Sequence, residues 1–228
     1  MQVTTTPQTL PADNRAEARR AQIVAATIEL LATEGIKGAS FGRIVKEAGL
    51  SSSRLISYHF ASKEALLRAV AGAIVAEAAA MMRPALDAAP TAVGKLEAYI
   101  RSNLDFLAAY PKHAKAVVEI ARAAGAPDRP VDSLDAPGSE GASPAPSAEA
   151  PADVPDDTAV LLVAQLFAMG QATGEMRPFD TRIMARVLRA SIDTVAVIVA
   201  TVPTLDLHHY ADELVSLFLR ATTPEDHA

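Results

Sequence analysis

Residues 38–67 read GASFGRIVKEAGLSSSRLISYHFASKEALL, and they contain three serines placed where helices would begin. Ser40, Ser51 and Ser62 each precede a stretch with helical apolar periodicity, and a serine oxygen can accept from the backbone N–H groups that a helix start leaves unpaired. Gly49 lies between the first two stretches and permits the left-handed backbone of a tight turn. The segment therefore predicts two short helices and the start of a third, in the order of a helix-turn-helix.

The helix expected after Ser51 has two chemically different sides. At about 100° per residue, one side collects Leu55, Ile56 and His59. The opposite side is polar and collects Ser53, Arg54, Ser57 and Tyr58. A helix that enters the major groove of DNA needs small or hydrogen-bonding side chains, because bulky apolar ones would hold its backbone away from the base edges. This helix is therefore the candidate DNA-reading element.

Eight residues form the candidate DNA-binding surface. Arg54 can either bond guanine N7 and O6 as a fork or contact a phosphate. Ser40 and Arg43, at the start of the second helix, are candidates for backbone contacts, although Ser40 can also serve as a helix cap alone. His59 falls on the packed side, which favours a structural hydrogen bond over a DNA contact. The full set is Ser40, Arg43, Ser52, Ser53, Arg54, Ser57, Tyr58 and Lys63.

Charge is distributed unevenly along the chain, whose formal net charge is −6. Residues 15–70 hold nine Lys or Arg against five Asp or Glu, and this excess favours phosphate attraction near the candidate helix. Residues 124–157 hold one Arg against eight acids, together with seven of the fifteen prolines. Such a composition cannot bury enough apolar surface to order itself, so residues 124–157 are predicted to be a disordered loop inside a helical body.

The composition predicts an all-α protein. Of the 228 residues, 50% are apolar and 4% aromatic, and no alternating strand-like run stands out. The chain has no cysteine, which excludes disulfides, thiol catalysis and thiolate metal sites. The N-terminus lacks a signal pattern, and the apolar runs at 159–170 and 194–202 are too short or interrupted to cross a bilayer. A cytoplasmic protein without a membrane partner is expected.

About nine helices are expected. The first would extend from a cap at Asn14 to Gly35, and the second and third would follow Ser40 and Ser51. The fourth would begin after Ser62 and end near Met82, about 20 residues or 30 Å, which is long enough to belong to two substructures. The remaining helices are expected at about 91–110, 112–123, 157–171, 180–202 and 206–221.

The last two helices carry more apolar residues than one buried face needs. Residues 181–202 and 206–221 are therefore expected to form a homodimer interface, with two fully buried helices of a monomer as the alternative.

The sequence shows no complete catalytic or metal-binding pattern. His208, His209, Asp212 and Glu213 give His–carboxylate pairs at i, i+4, but no third ligand is in evidence. No Ser-His-Asp arrangement or glycine-rich phosphate loop is discernible. We therefore expect no enzyme, no cofactor and no metal. A small helical enzyme is the alternative that a cavity with convergent ionisable groups would favour.

Residues 20–67 resemble the TetR family of bacterial transcriptional regulators. The resemblance is carried by Glu34-Gly35, by Gly38-Ala39-Ser40-Phe41, by IVKEAGLS from Ile44 to Ser51, and by YHFASKEAL from Tyr58 to Leu66. Residues 170–193 are similar, less closely, to the link between the seventh and eighth helices of such regulators. Between Leu50 and Phe60 this chain has one residue more than the commonest family spacing, so Ser57 stands where the family has a tyrosine. Either Tyr58 takes over that phosphate contact or the register of the recognition helix shifts.

The resemblance implies a homodimer, more often a repressor, that binds palindromic double-stranded operator DNA and releases it when a small-molecule effector binds. It divides the chain into a helix-turn-helix DNA-binding domain at 14–61 and a ligand-binding and dimerisation domain at 62–228, joined by the long fourth helix. Lys63 matches the phosphate-contacting lysine of the family. Two recognition helices would lie about 34–36 Å apart, in successive major grooves.

An apolar effector pocket is expected among the helices that follow the head. Its candidate lining is Met81, Met82, Leu104, Leu107, Phe167 and Met169, each of which is equally well explained as core. The alternative function is a DNA-bound adaptor of the same fold that a protein partner controls. A body without a cavity of about 300 Å³ would favour the adaptor.

Overall fold

The computed structural model describes residues 12–125, 158–202 and 204–224, which form nine α-helices and no strand. This confirms the all-α fold expected from the sequence. The helices are α1 (Ala12–Gly38), α2 (Phe41–Glu47), α3 (Arg54–His59), α4 (Lys63–Ala88), α5 (Ala92–Ala109), α6 (Pro111–Gly125), α7 (Thr158–Ala172), α8 (Thr181–Thr201) and α9 (Leu207–Thr222). Residues 124 and 125 end α6, and the rest of the predicted loop lies outside the described residues.

Several helix ends follow from their own side chains, and the caps at Ser40 and Ser62 are those predicted. The side chains of Ser40, Ser62 and Asp206 each accept from the backbone N–H three residues on, at 3.4, 3.1 and 3.0 Å. Gly35 breaks α1 with φ of 71°, and Gly49 turns the chain after α2 with φ of 59°. These positions need a residue that tolerates the left-handed region.

Two predicted helix starts were wrong. α3 begins at Arg54 with Ser53 as its N-cap residue, so Ser51 is not the cap, because residues 51–53 still belong to the turn that follows Gly49. α1 begins at Ala12 instead of Asn14. Residues 14–20 are all exposed, so burial does not fix where that end of the helix begins.

The predicted end of α4 was also wrong. The helix continues beyond Met82 to Ala88, with Pro84 inside it. Proline leaves the carbonyl four residues earlier without its helical partner, and here that carbonyl belongs to Ala80, an exposed residue that water can reach. Lys95 Nζ donates to the carbonyl of Leu86 at 2.7 Å, which stabilises the turn after the proline.

Two hydrophobic clusters organise the helices. The head core contains Ile23, Leu31, Ile44 and Ile56 of α1 to α3, continues along α4 through Leu66, Val70 and Ile74, and takes in Phe106 of α5 and Ala116 of α6. The body core lies among α5 to α9, with Leu96, Ile100, Phe167, Leu188 and Phe218 at its centre. We call α1 to α3 the head and α5 to α9 the body. The head core therefore extends well past residue 61, into α4.

α4 is apolar over most of its length, although the sequence analysis above names no membrane-spanning run there. Among the described residues, α4 is the one helix that is long and apolar enough to cross a membrane, judged by its 26-residue length and its composition alone. One such helix is weak evidence of a span, because the core helix of a soluble protein passes the same test. Leu66, Val70 and Ile74 are buried in the head core, which accounts for part of its apolar content.

Replacing Gly49 with alanine should lower the free energy of unfolding by about 1–2 kcal/mol, because its φ of 59° disfavours any Cβ. An added Cβ would meet no atom within 4 Å, so the cost is backbone strain alone. Gly42→Ala is the matched control: its Cβ also meets nothing, but it lies inside α2, where alanine is favoured by about 0.5–1 kcal/mol. Urea unfolding of both variants tests this, and shifts of the same sign would contradict it.

Candidate nucleic-acid interface

α3 is held in place by its apolar side. Ile56 is fully buried, Phe60 directly after the helix is also buried, and both belong to the head core. Leu55 and His59 are partly buried beside them. Because an isolated helix of this length is not stable in water, these contacts determine where α3 lies.

The opposite side of α3 is exposed and polar. Ser53, Arg54 and Ser57 are exposed, and Tyr58 is 80% exposed. Ser52, in the turn before the helix, is exposed as well. Burial therefore follows the two sides predicted from the sequence, and four of the candidate DNA-binding residues share one solvent-facing surface.

Ser40 and Arg43 lie at the start of α2. Ser40 caps the helix through its Oγ and remains exposed. Arg43 forms an ion pair with Glu34 at the end of α1, and both side chains are partly exposed. A guanidinium has five N–H donors, so the ion pair leaves Arg43 donors for a phosphate.

Lys63 has a structural partner that the sequence did not reveal. Its Nζ donates to the carbonyl of Ile36 at 3.1 Å, while the N–H of Ile36 donates to Oε2 of Glu119 at 3.3 Å. α4 and α6 therefore both hold the residue that follows the left-handed Gly35. An ammonium group has three donors, so Lys63 can make this bond and still contact a phosphate.

The N-terminus of α4 also fixes a carboxylate. The hydroxyl of Ser62 and the backbone N–H of Glu64 hold the pKa of Glu64 below its usual value, with smaller contributions from the charges of Arg68 and Lys63. Glu64 is therefore ionised at neutral pH, in the first turn of α4, where the helix dipole favours negative charge.

α1 contacts both ends of the helix-turn-helix. Nε2 of Gln22 donates to the carbonyl of Ala48 at 2.5 Å, at the end of α2. The guanidinium of Arg20 lies 4.7 Å from the ring centroid of Phe60. Sequence reasoning missed Gln22 and Glu119 because their partners lie 26 and 83 residues away and no local pattern marks them.

The six residues predicted to line an effector pocket do not come together around one cavity. Leu104, Leu107 and Phe167 lie within the packed body core. Met82 is buried, whereas Met81 and Met169 are 40% and 39% exposed. Met81 and Met82 are neighbours on α4 and therefore point about 100° apart.

A cavity of about 880 Å³ lies between α1, α4 and the start of α6. We call it the junction groove. It is lined by Glu17, Arg20, Ala21, Val24, Ala25, Ile28, Glu29, Ala69, Gly72, Ala73, Glu77, Ala109, Tyr110, Pro111, Lys112 and His113. A smaller cavity of about 200 Å³ lies between α1, α6 and α8, beside Glu119. Neither lining includes any of the six residues predicted for the pocket.

One member of the histidine and carboxylate cluster of α9, Asp212, forms an ion pair with α5. Asp212 accepts a hydrogen bond from the guanidinium of Arg101 of α5 at 2.7 Å. The hydrogen bonds of Arg101 to Asp212 and Glu97 raise the pKa of Arg101 above its usual value. Within the described residues, His208 and His209 belong to no group of three or more potential metal ligands.

Comparison with known proteins finds a family match for the head and the start of α4. Residues 23–70 match the model of the bacterial regulatory proteins of the tetR family. No curated protein sequence matches the chain.

Solved structures share the fold of nearly the whole chain. A TetR-like transcriptional regulator from Rhodococcus sp. RHA1 superposes with a TM-score of 0.59 at 17% identity, over 93% of this chain and 98% of its own. A putative tetR family transcription regulator from Shewanella sp. PV-4 gives 0.61 at 16% identity, over 91% and 99%. The transcriptional regulator FadR from Bacillus subtilis, solved in complex with stearoyl-CoA, gives 0.63 at 18% identity, over 87% and 97%.

At these identities the structural likeness shows the fold alone, and the family match is limited to the head and the start of α4. Over residues 23–70 this chain is therefore similar to the bacterial regulatory proteins of the tetR family, and over most of its length it has the fold of these solved structures.

Proposed function

We propose that this protein is a cytoplasmic, ligand-responsive transcriptional repressor. It binds palindromic operator DNA as a homodimer, and a small apolar effector releases it. The observation that carries this proposal is the exposed polar side of α3, with Arg54, Ser57 and Tyr58 in solvent above the buried Ile56. That side has the chemistry needed to reach base edges.

The contacts we propose fall into two kinds. Arg54, Ser57 and the serines just before α3 face the bases, while Tyr58, Arg43 and Lys63 contact phosphates on either side. The high exposure of Tyr58 supports its taking over the phosphate contact from the tyrosine that the family has at position 57. The N–H groups at the start of α4 add to the attraction for a phosphate near Lys63.

Exposed apolar side chains on α8 support the homodimer. Ile183, Val187 and Val197 are exposed, and Val187 and Val197 lie about 40° to either side of Ile183 around the helix. Leu217 of α9 is 58% exposed. Exposed apolar stripes of this kind mark protein–protein interfaces in soluble proteins.

A small apolar effector is the ligand class that we propose. FadR of Bacillus subtilis, of similar fold, was solved with stearoyl-CoA. The predicted pocket set from Met81 to Met169 remains one candidate location, although three of its members lie in the packed body core.

A DNA-bound adaptor controlled by a protein partner is the second candidate function. Leu161, Leu162 and Met169 of α7 are exposed and lie outside the α8 and α9 surface. A protein partner that covers this apolar surface could replace the small molecule as the controlling signal.

The proposal is tested directly by capturing genomic DNA fragments with the purified protein at near-physiological salt and sequencing them. We expect enrichment of a palindromic site whose half-sites are about one helical turn apart. Captured fragments that share no palindrome would contradict operator binding by a dimer.

On the selected operator, Arg54→Ala should cost about 1–3 kcal/mol of binding free energy and relax the base preference at one position. Lys63→Ala should instead weaken binding to all DNA sequences alike, and it should reduce the salt dependence of the affinity by the amount expected for about one phosphate contact. Competition binding at several salt concentrations measures both effects.

Lys95→Ala is the matched control for Lys63→Ala. Each lysine donates Nζ to a backbone carbonyl, at 2.7 Å for Lys95 and 3.1 Å for Lys63, but Lys95 lies on α5 in the body. The control should leave DNA affinity and its salt dependence unchanged. If it reproduced the effect of Lys63→Ala, the phosphate contact would be wrong and the loss would reflect structure alone.

A further inference from the structure

We propose that the junction groove between α1, α4 and α6 binds an elongated, uncharged apolar molecule and that this ligand sets the position of the head. The proposal deepens the function proposed above and rests on it, because it gives the effector a binding site outside the body core.

The size and shape of the groove fit a small molecule. Its volume of about 880 Å³ falls within the range of about 300–1,000 Å³ that ligand pockets occupy. On α1 its lining extends from Glu17 to Glu29, a helix length of about 18 Å. An elongated ligand would lie along α1.

Small side chains create the space. α1 contributes Ala21 and Ala25, and α4 contributes Ala69, Gly72 and Ala73 on the facing wall. A Cβ added at Gly72 would meet no atom within 4 Å. Val24 and Ile28, both in the head core, form an apolar floor. The walls are therefore apolar and too small to fill the gap between the helices.

The charges of the lining favour an uncharged ligand. At one end Lys112 Nζ pairs with Glu29 at 2.7 Å, and at the same end His113 Nε2 lies 3.1 Å from Glu77. An anionic ligand would face these two carboxylates and that of Glu17, and a cationic ligand would have to compete with Lys112 and Arg20. An uncharged molecule binds without separating either pair.

The position of the groove gives its occupant control of the head. α1 belongs to the head, whereas α4 and α6 also hold Ile36 through Lys63 and Glu119. A ligand that favours one spacing between α1 and these two helices shifts the head toward that arrangement. Typical coupling free energies of about 1–3 kcal/mol would change operator affinity by about 5- to 150-fold.

Two fluorescent probes that differ by one charged group test the proposal. N-phenyl-1-naphthylamine is uncharged, and 1-anilinonaphthalene-8-sulfonate has the same rings with a sulfonate. We expect the uncharged probe to bind more tightly, and Gly72→Leu to weaken it by about ten-fold or more by filling the groove. Ala25→Leu fills it from the α1 side and should act alike.

Ala80→Leu is the control, because Ala80 is exposed on the same helix and does not line the groove. It should leave probe binding unchanged. Tighter binding of the sulfonate, or equal binding by wild type and both groove-filling variants, would overturn the proposal. Circular dichroism confirms that each variant is folded.

Operator binding separates this inference from the proposed function. The uncharged probe should lower the operator affinity of the wild type by about five-fold or more, and not that of Gly72→Leu. A wild type that binds its operator but shows no probe effect would overturn the groove as a control site and leave the DNA-binding function standing. A wild type that binds no operator would overturn the proposed function itself.

Discussion

Replacing Ile56 with alanine should lower the free energy of unfolding by about 2–5 kcal/mol and remove DNA binding with it. Ile56 is fully buried in the head core, so the substitution leaves a cavity under α3. α3 has only six residues and depends on this contact for its position. The loss of stability and the loss of DNA affinity should therefore occur together.

Ser57→Ala is the matched comparison, because Ser57 is the next residue and is exposed. It should change the free energy of unfolding by no more than about 0.5 kcal/mol. Ile56→Val removes one methylene and should cost about 0.5–1.5 kcal/mol. Urea denaturation and operator titration of the three variants test this order. A folded Ile56→Ala variant with unchanged operator affinity would show that α3 is not positioned by its buried side.

The sequence predicted those parts of the head whose causes are local. The caps at Ser40 and Ser62 act on an N–H three residues away, and the turn at Gly49 depends on its own φ angle. The start of α3 was misplaced because Ser51, Ser52 and Ser53 are consecutive and each has the side chain of a cap. Identical neighbours leave a cap position undetermined when the length of the preceding turn is unknown.

The end of α4 could not be predicted for a different reason. Pro84 disfavours a helix interior through its missing N–H, but whether the helix stops depends on the surroundings of the freed carbonyl and on packing against α5. Both of these depend on the tertiary structure, which the local sequence does not specify. Local propensity is a weak guide wherever a neighbouring helix supplies the compensating contacts.

The surface of α3 was predictable and the coupling between head and body was not. The polar side of α3 follows from helical periodicity alone. The bond from Ile36 to Glu119 joins residues 83 positions apart, and the alanines of the junction groove have no side-chain chemistry that marks a site. Methionine and leucine positions in an apolar helix likewise do not separate pocket from core, as the packed Leu104 and Phe167 show.

Val187→Glu should convert the protein to a monomer and lower its affinity for a palindromic operator by about 10²- to 10⁴-fold. Val187 is 50% exposed on α8, between Ile183 and Val197 on the same side of the helix. In the proposed dimer a carboxylate there would be buried without a partner on each of two symmetric surfaces, which is costly. A monomer presents one α3 and loses the gain from binding two half-sites on one DNA.

Val75→Glu is the control for this change. Val75 is 64% exposed on α4, so the same substitution adds the same charge outside α8 and α9. Sedimentation velocity should show a dimer for Val75→Glu and a monomer for Val187→Glu, and both should bind a single half-site with equal, weak affinity. The half-site affinity depends only on the head. If Val187→Glu also lowered the half-site affinity as much as the operator affinity, the substitution would be damaging the fold. A dimeric Val187→Glu protein would mean instead that the interface lies away from this side of α8, for which the exposed Leu161 and Leu162 of α7 are the next surface to test.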